Sequence, residues 1–145
     1  MNKKSYYMIT TSVDDFKIDI KNKISIIGLP DRNEKSIRKF NIGDKIIFYI
    51  SKLYAFGGIA EVVSQYFYDR KKIWTDPYDL WPHRVFAKPI YLIDDFTKMI
   101  FVKDIWDELE FIKKKKKWGV YVQGSFKRLS EHDFEVVLRS FKKNT

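Results

Sequence analysis

Runs of β-branched and aromatic residues recur along the chain between polar and turn-forming segments, a pattern typical of short β-strands. They predict strands over Tyr6–Thr10, Ile24–Ile27, Lys45–Ser51, Phe56–Ser64, Arg84–Leu92 and Trp118–Val122. The second run is followed by Gly28 and Pro30, which predict a turn at its end. Within the fourth run the pair Gly57–Gly58 predicts a bulge, and Pro89 in the fifth predicts a bulge or an edge position.

Helical signals fall between these strands. Ser12 with Asp15, and Ser130 with Asp133, have the spacing of a capping box, so we expect a helix to begin after each serine. Apolar spacing predicts two more helices, over Glu34–Phe40 and Val102–Phe111. Strands and short helices in this order predict an α+β, barrel-like domain.

The segment from Asp69 to Trp81 departs from this pattern, because it is polar, rich in aromatic residues and contains proline. Such a composition favours an irregular excursion over a helix or a strand. Burial is not the default for a tryptophan in such a loop. Trp74 and Trp81 are therefore candidates for contact with a ligand.

The length of 145 residues fits one domain, and an apolar content of 45% is enough for a hydrophobic core. We therefore expect a single domain over residues 1–145. The chain starts without a signal-peptide pattern, and its longest clean apolar run, Ile46–Ile50, is far shorter than a membrane span. Because cysteine is also absent, we expect a soluble cytoplasmic protein without disulfide bonds or membrane contact.

Charge is the first positive indication of function. Lys and Arg number 28 against 19 for Asp and Glu, which gives a net charge of +9. A basic domain of this size usually binds an anionic partner, most often nucleic acid. The alternative explanation is a compositional bias, because the chain is also rich in Lys and Ile and poor in Ala.

Groups that could carry catalysis are scarce. The chain has no cysteine, and its two histidines, His83 and His132, are far apart in the sequence. Neither a Gly-rich phosphate loop nor a nucleophile elbow is present. We therefore expect no catalytic residues, no metal site, no cofactor and no enzymatic activity. His83 is expected to be structural, with the lining of a ligand site as the alternative.

Aromatic and basic side chains fit nucleic-acid binding better. Aromatic rings stack on unpaired bases, while Lys and Arg neutralise phosphates. A run of five lysines directly precedes Trp118, so phosphate contact is an alternative there to an ordinary solvated surface. The predicted phosphate-contacting residues are Lys113, Lys114, Lys115, Lys116, Lys117, Lys127 and Arg128.

Six short motifs, taken in order, add a family resemblance. They are Ser5–Ile9, Ile26–Pro30, Ile42–Tyr49, Gly57–Val62, Trp81–Val85 and Gly124–Leu129. Together they span nearly the whole chain, which resembles the EVE-domain family of stand-alone prokaryotic proteins. The resemblance implies a PUA-like fold, a mostly antiparallel β-barrel of about five to six strands with short helices around it. It also implies a relation to the YTH domains, which read methylated adenine in RNA, and recognition of a modified base in DNA or RNA.

The resemblance further implies a base pocket between two loops, formed by the residues that match the family. One wall would consist of Ile27, Gly28, Leu29 and Pro30, the other of Trp81, Pro82, His83 and Arg84, and the floor of Thr11 and Ser12. Relatives place a tryptophan in the first wall, but this chain has none near Gly28 or Leu29. The sequence therefore predicts one stacking face, at Trp81, and weaker or different base selectivity.

The resulting expectation is a non-enzymatic nucleic-acid-binding module that accepts a flipped or unpaired, modified base. Lysines would capture the strand, Trp81 would stack on the base, and backbone amides near Leu29, with His83 or Ser12, would read the edge of the base. Two alternatives stay open. One is a general RNA-binding domain, tRNA- or ribosome-associated, without preference for a modification, and the other is a nucleotide-processing enzyme that uses His83.

Overall fold

A curled half-barrel sheet forms the framework of the protein. The computed structural model describes residues 4–112 and 126–144, so the predicted strand over 118–122 lies outside the described residues. The strands are β1 (Tyr6–Thr11), β2 (Ile26–Leu29), β3 (Lys45–Ile50), β4 (Ala55–Val62), β5 (Phe67–Tyr68), β6 (His83–Leu92), β7 (Ile100–Phe101) and β8 (Phe126–Leu129).

Six of these strands follow one another across the sheet in the order β2-β6-β4-β3-β1-β8, while β5 pairs with β6 and β7 with β4. All pairings are antiparallel except the one between β1 and β3. Those two strands run parallel because a long connection containing a helix and β2 separates them. The predicted α+β class and mostly antiparallel sheet are thus confirmed.

Four short helices accompany the sheet in the described part of the chain: α1 (Val13–Lys21), α2 (Glu34–Ile37), α3 (Val102–Ile105) and α4 (Glu131–Lys143). Both predicted helix starts are confirmed. The hydroxyl of Ser12 accepts from the backbone N–H of Asp15 at 3.1 Å, and that of Ser130 accepts from the backbone N–H of Asp133 at 3.1 Å. Each cap satisfies one backbone donor that the first turn of a helix leaves unpaired.

Two helices are shorter than predicted, and hydrogen bonding explains why. After α2 the backbone tightens, since the N–H of Phe40 donates to the carbonyl of Ile37 three residues earlier. After α3, the carboxylate of Asp133 accepts from the backbone N–H groups of Glu110 at 2.7 Å and Phe111 at 3.0 Å. A carboxylate from α4 therefore takes donors that a longer helix would have used itself.

Two irregularities shape the central strands. Phe48 faces Gly58 but Tyr49 faces Phe56, so Gly57 is an extra residue, as the predicted bulge requires. In β6 the register passes from Tyr91 to Pro89, which leaves one residue unpaired. Pro89 therefore lies at a bulge, in a part of β6 that pairs with β4, because β2 pairs with β6 only over residues 83–86.

The two faces of the sheet carry separate hydrophobic clusters, since successive residues of a strand point to opposite sides. On one face Phe16 of α1 packs with Ile9, Ile27 and Phe48, and on the other face α4 covers residues such as Met8 and Ile47. Among the described residues, no helix has the length and apolar character that crossing a membrane requires.

Candidate functional site

Two indole rings meet beside β2. The irregular segment between β5 and β6 brings Trp74 and Trp81 together with their ring centroids 6.0 Å apart and their planes inclined by 35°. Gly28 makes room for them, because a Cβ atom at this position would lie 2.4 Å from Cζ3 of Trp74 and 2.7 Å from the carbonyl oxygen of Trp81. Any side chain at residue 28 would therefore clash with the indoles in this position. We call Trp74 and Trp81 the indole pair.

The indole pair closes a narrow cavity that reaches into the half-barrel. The residues that line it are Ile9, Thr11, Asp19, Ile26, Ile27, Gly28, Phe48, Trp74 and Trp81. The space inside it is about 10 Å³, roughly what one water molecule needs. Apolar walls with a few polar groups are the usual composition of a small-molecule site.

Asp19 is the ionisable residue of this cavity. It is 5% exposed, and its Oδ1 accepts a hydrogen bond from Nε1 of Trp74 at 3.0 Å. Burial raises the pKa of Asp19 to about 7, because desolvation penalises the charged form. The Trp74 N–H lowers this pKa and the neighbouring charge of Asp15 raises it, but desolvation is the largest effect. Asp19 therefore changes its protonation state near neutral pH.

A second carboxylate of α1 fixes the loop. Oδ1 of Asp15 accepts from both the backbone N–H and the hydroxyl of Thr75, each at 2.8 Å. Asp15 and Asp19 are four residues apart, so they lie on the same face of the helix. As a result α1 holds the loop at two adjacent points, Trp74 and Thr75.

Trp81 is held by three hydrogen bonds in a left-handed backbone conformation, with φ at +53°. Its backbone N–H donates to Oδ1 of Asp79 at 2.9 Å, its indole N–H donates to Oδ2 of Asp76 at 2.9 Å, and its carbonyl accepts from Nε of Arg84 at 3.0 Å. The indole N–H is the main reason that the pKa of Asp76 lies below its usual value. A bulky residue in this region of φ is strained, and such strain is concentrated at functional sites.

The side chain of Arg84 binds the loop that carries the indole pair. The side chain is fully buried, and its Nη2 donates to the carbonyls of Lys71 and of Leu80, the latter at 3.2 Å. Its Nη1 lies 3.6 Å from Oδ2 of Asp69, and its guanidinium carbon lies 5.3 Å from the ring centroid of Trp74. Burial lowers the pKa of Arg84, whereas the charge of Asp69 raises it. The contacts of this guanidinium therefore converge on the loop that carries the indole pair.

His83 lies outside the cavity and is 3% exposed. Its Nδ1 is 2.7 Å from the hydroxyl of Tyr66, and its Nε2 is 2.6 Å from Oδ1 of Asp31. The Tyr66 ring also stacks on the imidazole, with ring centroids 5.8 Å apart. His83 thus joins the segment after β2 to the segment before β5.

The structure brings four of the predicted pocket residues together around the cavity: Thr11, Ile27, Gly28 and Trp81. The other six do not line it. Ser12 caps α1, Leu29, Pro30 and Pro82 are buried, and His83 and Arg84 make the contacts described above. Participation of these ten residues in base binding remains a prediction.

The predicted phosphate contacts divide in two. Lys113 to Lys117 lie outside the described residues. Lys127 and Arg128 belong to β8, at the opposite end of the strand order from β2. Nζ of Lys127 lies 5.5 Å from the ring centroid of Phe111, and Nη2 of Arg128 donates to the hydroxyl of Ser5 at 3.3 Å. Their contact with phosphate also remains a prediction.

The sequence indicated Trp74 as a candidate for ligand contact but did not place it in the base pocket, and it gave no indication of Asp19. The structure places the indole of Trp74 over Gly28 and beside Trp81, whereas the sequence predicted one stacking face, at Trp81; base stacking on either ring remains a prediction. Trp74 is 6% exposed, so the expectation that it stands outside the core was wrong. Two features of the sequence agree with this arrangement: Asp15 and Asp19 share a face of a capped helix, and a glycine within a strand often marks the close approach of another group.

Among the described residues, one cluster has the composition of a metal site. Ligand atoms of Glu110, His132 and Asp133 lie within 4.8 Å of one another. Both oxygens of Asp133 already accept backbone N–H groups, and Nε2 of His132 lies 2.9 Å from the carbonyl oxygen of Glu108. This cluster ties α4 to the segment after α3 and needs no ion to do so.

Comparison with known proteins agrees with this architecture. The EVE domain family matches residues 5–140. A UPF0310 protein of Pyrococcus abyssi is 31% identical over 144 residues, which cover 92% of this chain and 96% of the relative. The Mmi1 YTH domain in complex with RNA has a TM-score of 0.68 at 16% identity, covering 97% of this chain and 79% of that one. The Pho92 YTH domain in complex with m6A has a TM-score of 0.67 at 16% identity, covering 98% of this chain and 85% of that one.

The fold therefore falls in the class shared with YTH domains, as the motif resemblance implied. Within this class the chain belongs to the EVE domain family, because the family match spans nearly its whole length and a curated archaeal relative exceeds 30% identity.

Proposed function

We propose that this protein is a nucleic-acid-binding module in which the indole pair holds a flipped or unpaired base, and that it prefers a modified base. The observation that carries the proposal is the placement of two indoles over a cavity with a single ionisable residue, where hydrogen bonds from α1, from β6 and from the loop itself hold them. Similar folds in the Pho92 and Mmi1 complexes with m6A and RNA add support. The net charge of +9 supplies attraction to phosphates.

Each lining group has a role in such binding. A base stacked on an indole gains roughly 1–3 kcal/mol, and apolar walls favour a methyl or similar substituent over water. Asp19 can read the edge of the base in either protonation state: the protonated carboxyl donates to a ring nitrogen, and the carboxylate accepts from an amino group. The hydroxyl of Thr11 offers a second polar contact.

Binding requires the indoles to separate. A nucleobase is much larger than the one water molecule for which the cavity has room. Trp81 is the movable member of the indole pair, because it is only half-buried, whereas Trp74 is buried between Asp19, Gly28 and Arg84. The strained φ of Trp81 lowers the cost of leaving this conformation. We propose binding and not catalysis as the activity of this site.

The test is a panel of short RNA and DNA oligonucleotides that differ only in one modified adenine or cytosine. Affinity is measured by fluorescence anisotropy with the wild-type protein, Trp81→Ala and the control Trp106→Ala. Trp106 lies in a turn after α3, away from the cavity. We expect one modified base to bind best, and Trp81→Ala to weaken that binding by roughly tenfold or more while the control does not.

Two results would change the conclusion. Equal affinity for modified and unmodified strands, still dependent on Trp81, would favour a general RNA-binding domain. Affinity that is indifferent to Trp81→Ala for every oligonucleotide would exclude the indole pair as the base site.

A further inference from the structure

A second depression lies on the surface beside α2. Its lining residues are Arg38, Phe40, Asn41, Ile42, Gln65 and Tyr66, and it offers about 460 Å³ of space. This is the size range of sites for nucleotides and other small molecules. None of these residues lines the cavity of the indole pair.

The centre of this depression is a stacked pair of side chains. The guanidinium carbon of Arg38 lies 4.2 Å above the ring centroid of Tyr66, and Nε of Arg38 donates to Oε2 of Glu34 at 2.9 Å. The Tyr66 hydroxyl in turn is 2.7 Å from Nδ1 of the buried His83. One face of the guanidinium is therefore covered and its orientation is set, while the Arg38 side chain is still 54% exposed.

The depression is anchored to the same strand end as the indole pair. His83, which holds Tyr66, is followed directly by Arg84, which holds the carbonyl of Trp81. Phe67, the residue after Tyr66, pairs with Arg84 in the register of β5 and β6. Two sites fixed by adjacent residues of one strand are suited to successive parts of one extended ligand.

Charge and hydrogen-bonding groups around the depression suit a nucleotide. Lys35 and Lys39 are exposed on either side of Arg38, and Nζ of Lys4 donates to the carbonyl of Ile42 at 3.1 Å. Amide side chains such as those of Asn41 and Gln65 can both donate to and accept from a base edge. Guanidinium planes stack on unpaired bases in single-stranded nucleic acids.

We infer that this depression is a second nucleotide subsite for a single-stranded nucleic acid. The base stacks on the open face of the Arg38 guanidinium, the amides of Asn41 and Gln65 meet its edge, and Lys39 meets its phosphate. The inference rests on the proposed function because it assumes the same class of ligand, a nucleic acid. The location of the subsite is independent of that function, because the indole pair does not contribute to the subsite.

The first experiment compares two arginine variants of equal charge. Anisotropy of a fluorescein-labelled uridine pentamer is titrated with the wild type, Arg38→Gln and Arg139→Gln, the last an exposed arginine of α4. The pentamer is unmodified, so it does not offer the indole pair the modified base that this pair is proposed to prefer. We expect Arg38→Gln to weaken binding roughly five- to tenfold and Arg139→Gln less than twofold. Equal losses in both variants, or no loss in either, would overturn the inference.

A second measurement separates this subsite from the indole pair. In Trp81→Ala, amide chemical shifts are followed by NMR as the same pentamer is added. Shifts at residues 38–42 and 65–66 support the subsite, even if the oligonucleotide panel has excluded base binding by the indole pair. Pentamer binding with shifts confined to other surfaces would overturn the subsite and leave the proposed function standing.

Discussion

The guanidinium of Arg84 lies 5.3 Å from the ring centroid of Trp74, and the arginine side chain is fully buried. Its donors reach carbonyls near both ends of the loop that carries the indole pair. A buried charge is costly unless its partners are in place, so the loop and the arginine stabilise each other. The indole pair therefore owes its geometry to β6 as much as to the loop itself.

Arg84→Lys tests this dependence. Lysine keeps the charge but lacks the planar fork that reaches several carbonyls at once, so buried acceptors lose their donors. We expect the free energy of unfolding to fall by roughly 2–4 kcal/mol, measured by urea denaturation followed by circular dichroism. Arg139→Lys, an exposed change on α4, should stay within about 0.5 kcal/mol of the wild type. Similar values for the two variants would contradict the role of Arg84.

Gly28→Ala tests the contact between β2 and the indole pair. The new Cβ would lie 2.4 Å from Cζ3 of Trp74 and 2.7 Å from a backbone oxygen, so the loop has to move. We expect a loss of about 1–3 kcal/mol in the free energy of unfolding and a shifted tryptophan emission spectrum. Ser25→Ala, at an exposed position just before β2, is the control and should change neither quantity. An unshifted spectrum in Gly28→Ala would refute close contact with Trp74.

The elements that the sequence predicted correctly depend on local signals. The Ser12 and Ser130 caps each form within three residues of sequence. The apolar runs of β1, β3, β4 and β6 indicate directly which stretches of chain are buried as strands. Gly57 is also a local signal, because a glycine in the interior of a strand often marks a bulge, and the register shifts at this residue.

The errors arose where a distant partner decides the outcome. Gly28 looks like a turn residue but lies in β2, because Arg84 on β6 pairs with it. Trp74 looks like a loop residue but is buried, because Asp19 accepts its indole N–H at 3.0 Å across 55 positions of sequence. Neither partnership leaves a periodic pattern in the sequence, so the sequence indicated Trp74 as a candidate but could not place it beside Asp19 and Trp81.

Trp81→Gly and Trp81→Ala measure the backbone strain at the indole pair. Both variants remove the ring, but only glycine adopts φ of +53° without a steric penalty. We expect Trp81→Gly to be more stable than Trp81→Ala by about 1 kcal/mol in thermal or urea unfolding. If alanine is equal to glycine or better, residue 81 does not hold the left-handed conformation in solution.

Asp19→Asn tests whether the Asp19 carboxyl in the cavity ionises near neutral pH. Asparagine keeps an oxygen that can accept the indole N–H of Trp74, but it cannot ionise. In the folded protein the pKa of Asp19 is about 7, against an ordinary value of 3.8. Between these values the folded state holds a proton that the unfolded chain has lost, so this group makes stability decrease as pH rises from about 4 to 7.

The variant should therefore gain stability over the wild type as pH increases, by at most roughly 4 kcal/mol, because each pKa unit corresponds to 1.36 kcal/mol. The difference should be smallest near pH 4 and level off above pH 7, where Asp19 is ionised in both states. Urea unfolding at several pH values measures it, with the exposed Asp14→Asn on the same helix as the control. A difference between Asp19→Asn and wild type that stays constant across this range would show that Asp19 ionises normally in the folded protein.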